Sequence, residues 1–294
     1  MQTHRKGFVV HPVDPTPLDG DRLDQLWDFD DPAESAARFR AELTMTAPGS
    51  VAHEELRTQL ARALGLLDRE AEAVAELDAV EANGPTDPRV RTRLHLERAR
   101  LHHSNHRAAQ SIPQFQAAVT SARAADEDFL LVDALHMLAI ADPDNAEHWT
   151  RAALAATDRT TDRRTRRWIG ALRNNFGWAR HDRGDFAGAL EEFERARDAY
   201  RANGSVEQQR VADWAVGRAL RSLGRYDEAL AVQTRLGGGE PDGYVEEELG
   251  ELLLATGAPE RARVHFARAA DLLAGDPGLD EPDRLERLRA LGGG

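Results

Sequence analysis

The 294 residues carry 51 acidic against 38 basic side chains, a net charge of −13, and no cysteine. That balance argues against nucleic acid or an anionic membrane as partner, since phosphate surfaces need a basic face. The missing thiols exclude disulfides, thiolate metal centres and a cysteine nucleophile. With 41% hydrophobic and 30% charged residues, and Ala, Leu, Arg and Glu prominent, the composition points to an all-α protein.

Residues 1–20 contain Pro12, Pro15 and Pro17 and are expected to be extended. The apolar run before His11 is too short for a signal-peptide core. No later run approaches the roughly 18 apolar residues of a membrane helix, so a cytoplasmic location is expected. Residues 21–48 read as two short N-terminal capping helices, with Asp31 as an N-cap and Pro32 at the first helical position. Trp27, Phe29 and Phe39 are expected to cover the open edge of the first helical pair.

From Glu54 the pattern turns helical and weakly repetitive. Ala61, Leu64, Ala73, Leu77 and Val80 mark one helical pair, with Asp68 at its turn and Pro85 beyond its end. Ala99, Leu101, Ser111, Phe115 and Ala118 mark a second, beginning near Thr92, with His106 at its turn. A poorer pair covers about 127–157 through Ala134, Ala141, Ala146 and Ala153. Lacking glycine at their turns, these pairs are expected to turn irregularly and to curve differently.

The last three pairs are sharper, at 170–203, 210–236 and 243–274. Gly177, Gly184, Phe186, Ala189, Phe193 and Ala196 set the pattern; Gly217, Gly224, Tyr226 and Ala229 repeat it, then Gly250, Gly257, Ala262, Phe266 and Ala269. The first glycine of each set allows two helices to approach closely. The second sits where a helix ends with positive φ, which glycine takes without strain. Residues spaced i, i+4, i+7 in the second helix form one packing face. Residues 280–294, with Pro282 and then Leu285, Leu288 and Leu291, read as a C-terminal capping helix and tail.

This pattern resembles the tetratricopeptide repeat, most closely at Asn175-Phe176-Gly177, Gly184-Asp185-Phe186 and Ala189-Leu190. The resemblance covers about 54–274. It implies a right-handed α-solenoid of about six helical hairpins with capping helices at both ends. It also implies a groove lined by the first helix of each hairpin. Carried over position by position, that groove holds Asn174, Trp178 and His181, then Trp214, Arg218 and Arg221, then Tyr244, Glu247 and Glu251. Leu96, Arg100 and His103 belong to it upstream, in a weaker register. Trp and Arg are the residue types of binding hot spots, but Trp also fills helix contacts, so groove and core are both open for each Trp. The Lys and Asn clamp with which some members of the family hold a chaperone tail is matched only at Asn175, so that ligand is not expected.

Other chemical-looking groups have plainer readings. His181 and Asp182 close a helix, where the dipole favours a cation. His95, His102, His103 and His106 form the one histidine cluster. His102 and His106 would share a metal only if a single helix ran through both, which a turn at His106 prevents. Arg159, Arg163, Arg164, Arg166 and Arg167 make a solvated turn, or receive an acidic partner or a phosphate. The run at 237–243 is a linker. The reading is a non-catalytic, cytoplasmic adaptor that takes a protein or peptide in its groove, with no cofactor, no metal and no catalytic residue. A peptide-responsive regulator, or an enzyme or small-molecule binder built on the histidine cluster, is the alternative.

Overall fold

The computed structural model describes residues 16–276, 279 and 282–293. The expected extended segment falls largely on residues 1–15, outside the described residues. Among the described residues there is no β-strand, and the chain divides into two compact units, 1–160 and 161–294.

The first unit holds α1 (Gly20–Leu26), α2 (Pro32–Leu43), α3 (Val51–Leu66), α4 (Glu70–Ala82), α5 (Pro88–Ser104), α6 (Ala108–Ala125), α7 (Asp128–Ala141) and α8 (Ala146–Arg159). Asp19, Asp31, Ser50 and Asp87 cap α1, α2, α3 and α5 by accepting first-turn N–H groups, which would otherwise lack partners. Phe39 is wholly buried and Trp27 packs on the same core. Phe29 departs from expectation. It stacks on Trp27 at 4.7 Å, yet stays 59% exposed, because the turn before Asp31 carries it to the surface.

The second unit holds α9 (Arg163–Arg166), α10 (Trp168–Asp182), α11 (Phe186–Asn203), α12 (Val206–Ser222), α13 (Tyr226–Gly237), α14 (Gly243–Ala255), α15 (Pro259–Leu273) and α16 (Pro282–Gly292). Consecutive helices pack as hairpins, and the close approach expected at Gly177 is present. A methyl added there would lie 2.4 Å from the ring of Phe193, itself fully buried, so the ring fills the space a side chain would need. Gly250 faces Phe266 in the same way. Leu288 of α16 is fully buried and closes the core over α15.

The upstream turns correct the expectation of irregularity. Gly184, Gly224 and Gly257 take φ of 80°, 72° and 80°, and Asp68 and His106 take 57° and 56° at the matching places. In all five, the N–H of the next residue reaches back to a carbonyl five residues earlier. Arg69 to Leu64 spans 3.0 Å, Arg107 to His102 2.8 Å, and Asp185 to Arg180 3.0 Å. The hydrogen-bonded closure is therefore the same with or without glycine. Asp and His tolerate the left-handed region at a cost of about 1 kcal/mol. An irregular turn occurs between α7 and α8, where Asp142 takes φ −126° and ψ 73° and a single 3-10 turn spans Pro143–Asn145.

Candidate functional site

The inner helices of the second unit are α10, α12 and α14, and the residues carried over to the groove lie across them. Trp178 and Trp214 have ring centroids 5.8 Å apart, and Trp214 meets Tyr244 edge-on at 6.3 Å. Both tryptophans are half-buried and pack on the core of α11–α13. They also line a cavity of about 510 Å³, together with Arg218, Glu247, Glu248, Asp283, Arg284 and Arg287. Each ring packs on the core and also lines this cavity.

The charges of this face are largely matched to one another. Arg221 holds the carboxylate of Glu248 at 2.7 and 3.0 Å, and Arg218 holds it at 3.0 Å. Burial pushes the Glu248 carboxyl up to about 7, against the pull of Arg221 and with Glu247 and Glu251 adding to the rise. Arg284 of α16 clasps Glu247 at 2.7–3.2 Å, and Arg287 reaches Glu251 at 2.5 Å. Tyr244 donates its hydroxyl to Asp276 at 2.9 Å. Arg218 and Glu247 line the cavity and Arg221 and Glu251 are not part of its lining, yet all four are engaged internally, a point the helical spacing does not reveal. Glu248, Arg284 and Arg287 were missed, because their partners lie on neighbouring helices rather than on their own.

Two groups on α10 stand apart. The indole N–H of Trp214 is bonded to the Tyr244 carbonyl at 3.1 Å, whereas that of Trp178 has no acceptor among the described residues. One turn earlier, the side-chain oxygen of Asn174 is buried with no donor among the described residues. His181 is brought to 2.9 Å from the hydroxyl of Ser222, a pairing not legible in the sequence. That hydroxyl donates to the Arg218 carbonyl, so it accepts from His181, and the imidazole acts there as a donor rather than as a base. Burial lowers the His181 pKa, against the pull of Asp182 and with Arg221 adding to the fall.

No family model matches the sequence, and no curated protein matches it. Solved structures do. The Cut9 and Hcn1 hetero-tetramer of the APC/C matches with a TM-score of 0.63 at 17% identity, over 90% of this chain and 48% of that one. A tetratricopeptide repeat protein from Parabacteroides merdae matches at 0.53 and 13% identity, over 93% and 97% of the two chains. NprR in complex with its cognate peptide NprX matches at 0.54 and 14% identity, over 92% and 81%. The chain has the tetratricopeptide-repeat fold. It spans about half the length of the first of these structures.

In tetratricopeptide terms, α3, α5 and α7 are the inner helices of the first unit, and their inner face is a buried polar network. Glu55, fully buried, is held by Arg89 at 2.8 Å and Arg93 at 2.9 Å. Arg100 bridges Glu97 at 2.6 Å and Asp133 at 2.5 Å. Burial opposes ionisation of Asp133, but Arg100 and Arg62 beside it hold its carboxyl below the usual range. Of the upstream groove candidates, Leu96 is a core residue at 1% exposure, because its side of α5 turns into the hairpin. Arg100 and His103 line a smaller cavity of about 200 Å³ with Arg62 and Met137. The histidine cluster is dispersed. His95 bonds Gln114 at 2.8 Å, His106 sits in the left-handed turn, and no grouping of three or more His, Asp or Glu suited to a metal occurs among the described residues. No described helix is long and apolar enough to cross a membrane.

Proposed function

We propose that this chain is a non-catalytic, cytoplasmic interaction module, and that the inner face of its second unit takes an extended segment of a partner protein or peptide. The observation that carries this reading is the pair of unfilled groups on α10. The Trp178 indole N–H and the Asn174 side-chain oxygen lie one helical turn apart, and the first opens on the 510 Å³ cavity. A donor and an acceptor so spaced suit the carbonyl and N–H groups of a peptide backbone, whose burial requires them to be paired. The adjacent, mutually tilted rings of Trp178 and Trp214 supply the apolar floor on which side chains of such a segment rest. NprR, similar in fold, was solved with a peptide, which lends the reading further support.

The arginines of the groove are poor probes of this proposal. Removing Arg218 and Arg221 would leave the buried Glu248 without a partner and damage the fold itself. The test is selection of peptides on the whole chain, followed by affinity measurement with Trp178→Phe and Asn174→Leu. Trp178→Phe keeps an aromatic ring at the position and Asn174→Leu keeps the branched shape, and each removes the polar group. Each is expected to weaken the selected peptides about tenfold, in line with one buried hydrogen bond. Peptides that bind both variants as tightly as the native chain would overturn the assignment.

A further inference from the structure

The arginine run that opens the second unit is not absorbed by the groove. Most groove arginines meet carboxylates, yet the guanidinium groups of Arg166 and Arg167 make no ion pair or hydrogen bond among the described residues. Both line a cavity of about 330 Å³ whose other walls include Ile169, Tyr200 and Gln208. Tyr200 is the informative member. It is 9% exposed, and its hydroxyl has no hydrogen-bond partner among the described residues. Its ring is seated in a slot made by two glycines. A methyl on Gly170 would lie 2.3 Å from the ring, and one on Gly204 would lie 2.9 Å from it.

The repeat itself shows that packing does not need this hydroxyl. At the offset that separates Gly177 from Gly250, Gly170 becomes Gly243 and Tyr200 becomes Leu273. There the same seat is filled by an aliphatic side chain, with a methyl on Gly243 falling 2.6 Å from Leu273. The phenol is thus an added polar group at a position the fold fills with leucine. Burial raises the Tyr200 pKa, so the group stays protonated and able to donate. Gln208 is fixed as well. Its side-chain oxygen accepts the N–H of Ser205 at 3.0 Å, which leaves its amide hydrogens to donate elsewhere.

We propose that this cavity binds a phosphate monoester dianion. Arg166 and Arg167 supply two positive charges, and Tyr200 and Gln208 supply neutral donors. A carboxylate would use fewer of these donors, whereas three terminal phosphate oxygens accept from all four side chains. The volume exceeds that of a bare ion, and Ile169 with Ala199 and Ala202 gives the ester carbon an apolar wall. The monoester is either a free small molecule or a phosphorylated side chain. The proposal does not depend on the groove reading.

Calorimetric titration of the full chain with inorganic phosphate, O-phosphoserine and a short phosphoserine peptide tests it, with serine and acetate as controls. Saturable binding of O-phosphoserine is expected, weakened about tenfold by Tyr200→Phe and more than tenfold by the Arg166→Ala/Arg167→Ala pair. The Arg159→Ala/Arg163→Ala pair removes two charges outside the cavity lining and is expected to leave binding unchanged. Tighter binding of the peptide than of the amino acid assigns the site to a phosphorylated protein, and equal binding assigns it to a free ester. Absence of saturation, indifference to Tyr200→Phe, or equal weakening by both arginine pairs would each overturn the proposal. Tyr200→Phe retains the seated ring and so keeps the test valid if the arginine variants fold poorly.

Discussion

Glu248→Gln examines the electrostatics of the groove in its simplest form. The carboxyl is 3% exposed and sits among Arg218, Arg221 and two further glutamates of its own helix, with its pKa raised from 4.5 to about 7. Between those two values the folded chain keeps a proton that the unfolded chain has released. Raising the pH therefore weakens folding, and the full contribution is present only below about pH 4.5. A displacement of about 2.5 pH units corresponds to about 3 kcal/mol. Glutamine keeps the shape and cannot ionise. Native chain and variant should have similar stability near pH 5, and the variant should be the more stable by up to about 3 kcal/mol near pH 8. Urea denaturation followed by far-UV circular dichroism at several pH values measures the difference. A difference that stays flat, or a native chain that gains on the variant as pH rises, would refute the raised pKa and mean that the two guanidinium groups outweigh burial.

Four further substitutions probe the repeat. His106→Gly and Asp68→Gly remove a side chain from left-handed backbone at φ of 56° and 57°, while Gly184→Ala adds one at 80°. Thermal denaturation should show the first two at or above native stability by up to about 1 kcal/mol and the third below it by about 1 kcal/mol. Gly177→Ala forces the Phe193 ring, 2.4 Å from the new methyl, out of its seat. A loss of about 1–3 kcal/mol is expected in the same assay, and a neutral result would show that α10 and α11 separate freely.

The fold was legible where one residue answers one local demand. Gly184, Gly224 and Gly257 mark turns because the backbone there needs positive φ, and Gly177 marks a crossing because Phe193 occupies the place of its side chain. The upstream turns were harder to read. Asp68 and His106 reach the same backbone conformation at modest cost, so the letter differs while the geometry does not. In the groove, the resemblance to the tetratricopeptide repeat put Trp178, Trp214 and Tyr244 at matching positions of α10, α12 and α14, and their rings lie next to one another. It did not disclose that Arg221 and Arg218 hold Glu248, nor that Arg284 holds Glu247. Those pairings depend on how one hairpin is rotated against the next. The C-terminal helix showed its apolar Leu288 in the pattern but not the arginines that its other side turns toward α14. Tyr200 was invisible for a related reason. It takes the place of a leucine in the repeat, and only the slot between Gly170 and Gly204 makes its hydroxyl notable.

The central claim is that a peptide segment occupies the inner face of the second unit, against Trp178. The chain has five tryptophans, and their indole N–H signals form a small, separate set in a nitrogen-15 correlation spectrum. Trp27 and Trp149 donate to Gln59 at 3.1 Å and to Asp142 at 2.9 Å, and Trp214 donates to the Tyr244 carbonyl. The signal of Trp178 has no such internal partner. On titration with a selected peptide, it should move furthest, downfield as a hydrogen bond forms, with Trp214 moving less and Trp27 and Trp149 unmoved. A peptide that binds while the Trp178 signal stays still, or that shifts Trp27 or Trp149 instead, would contradict the account.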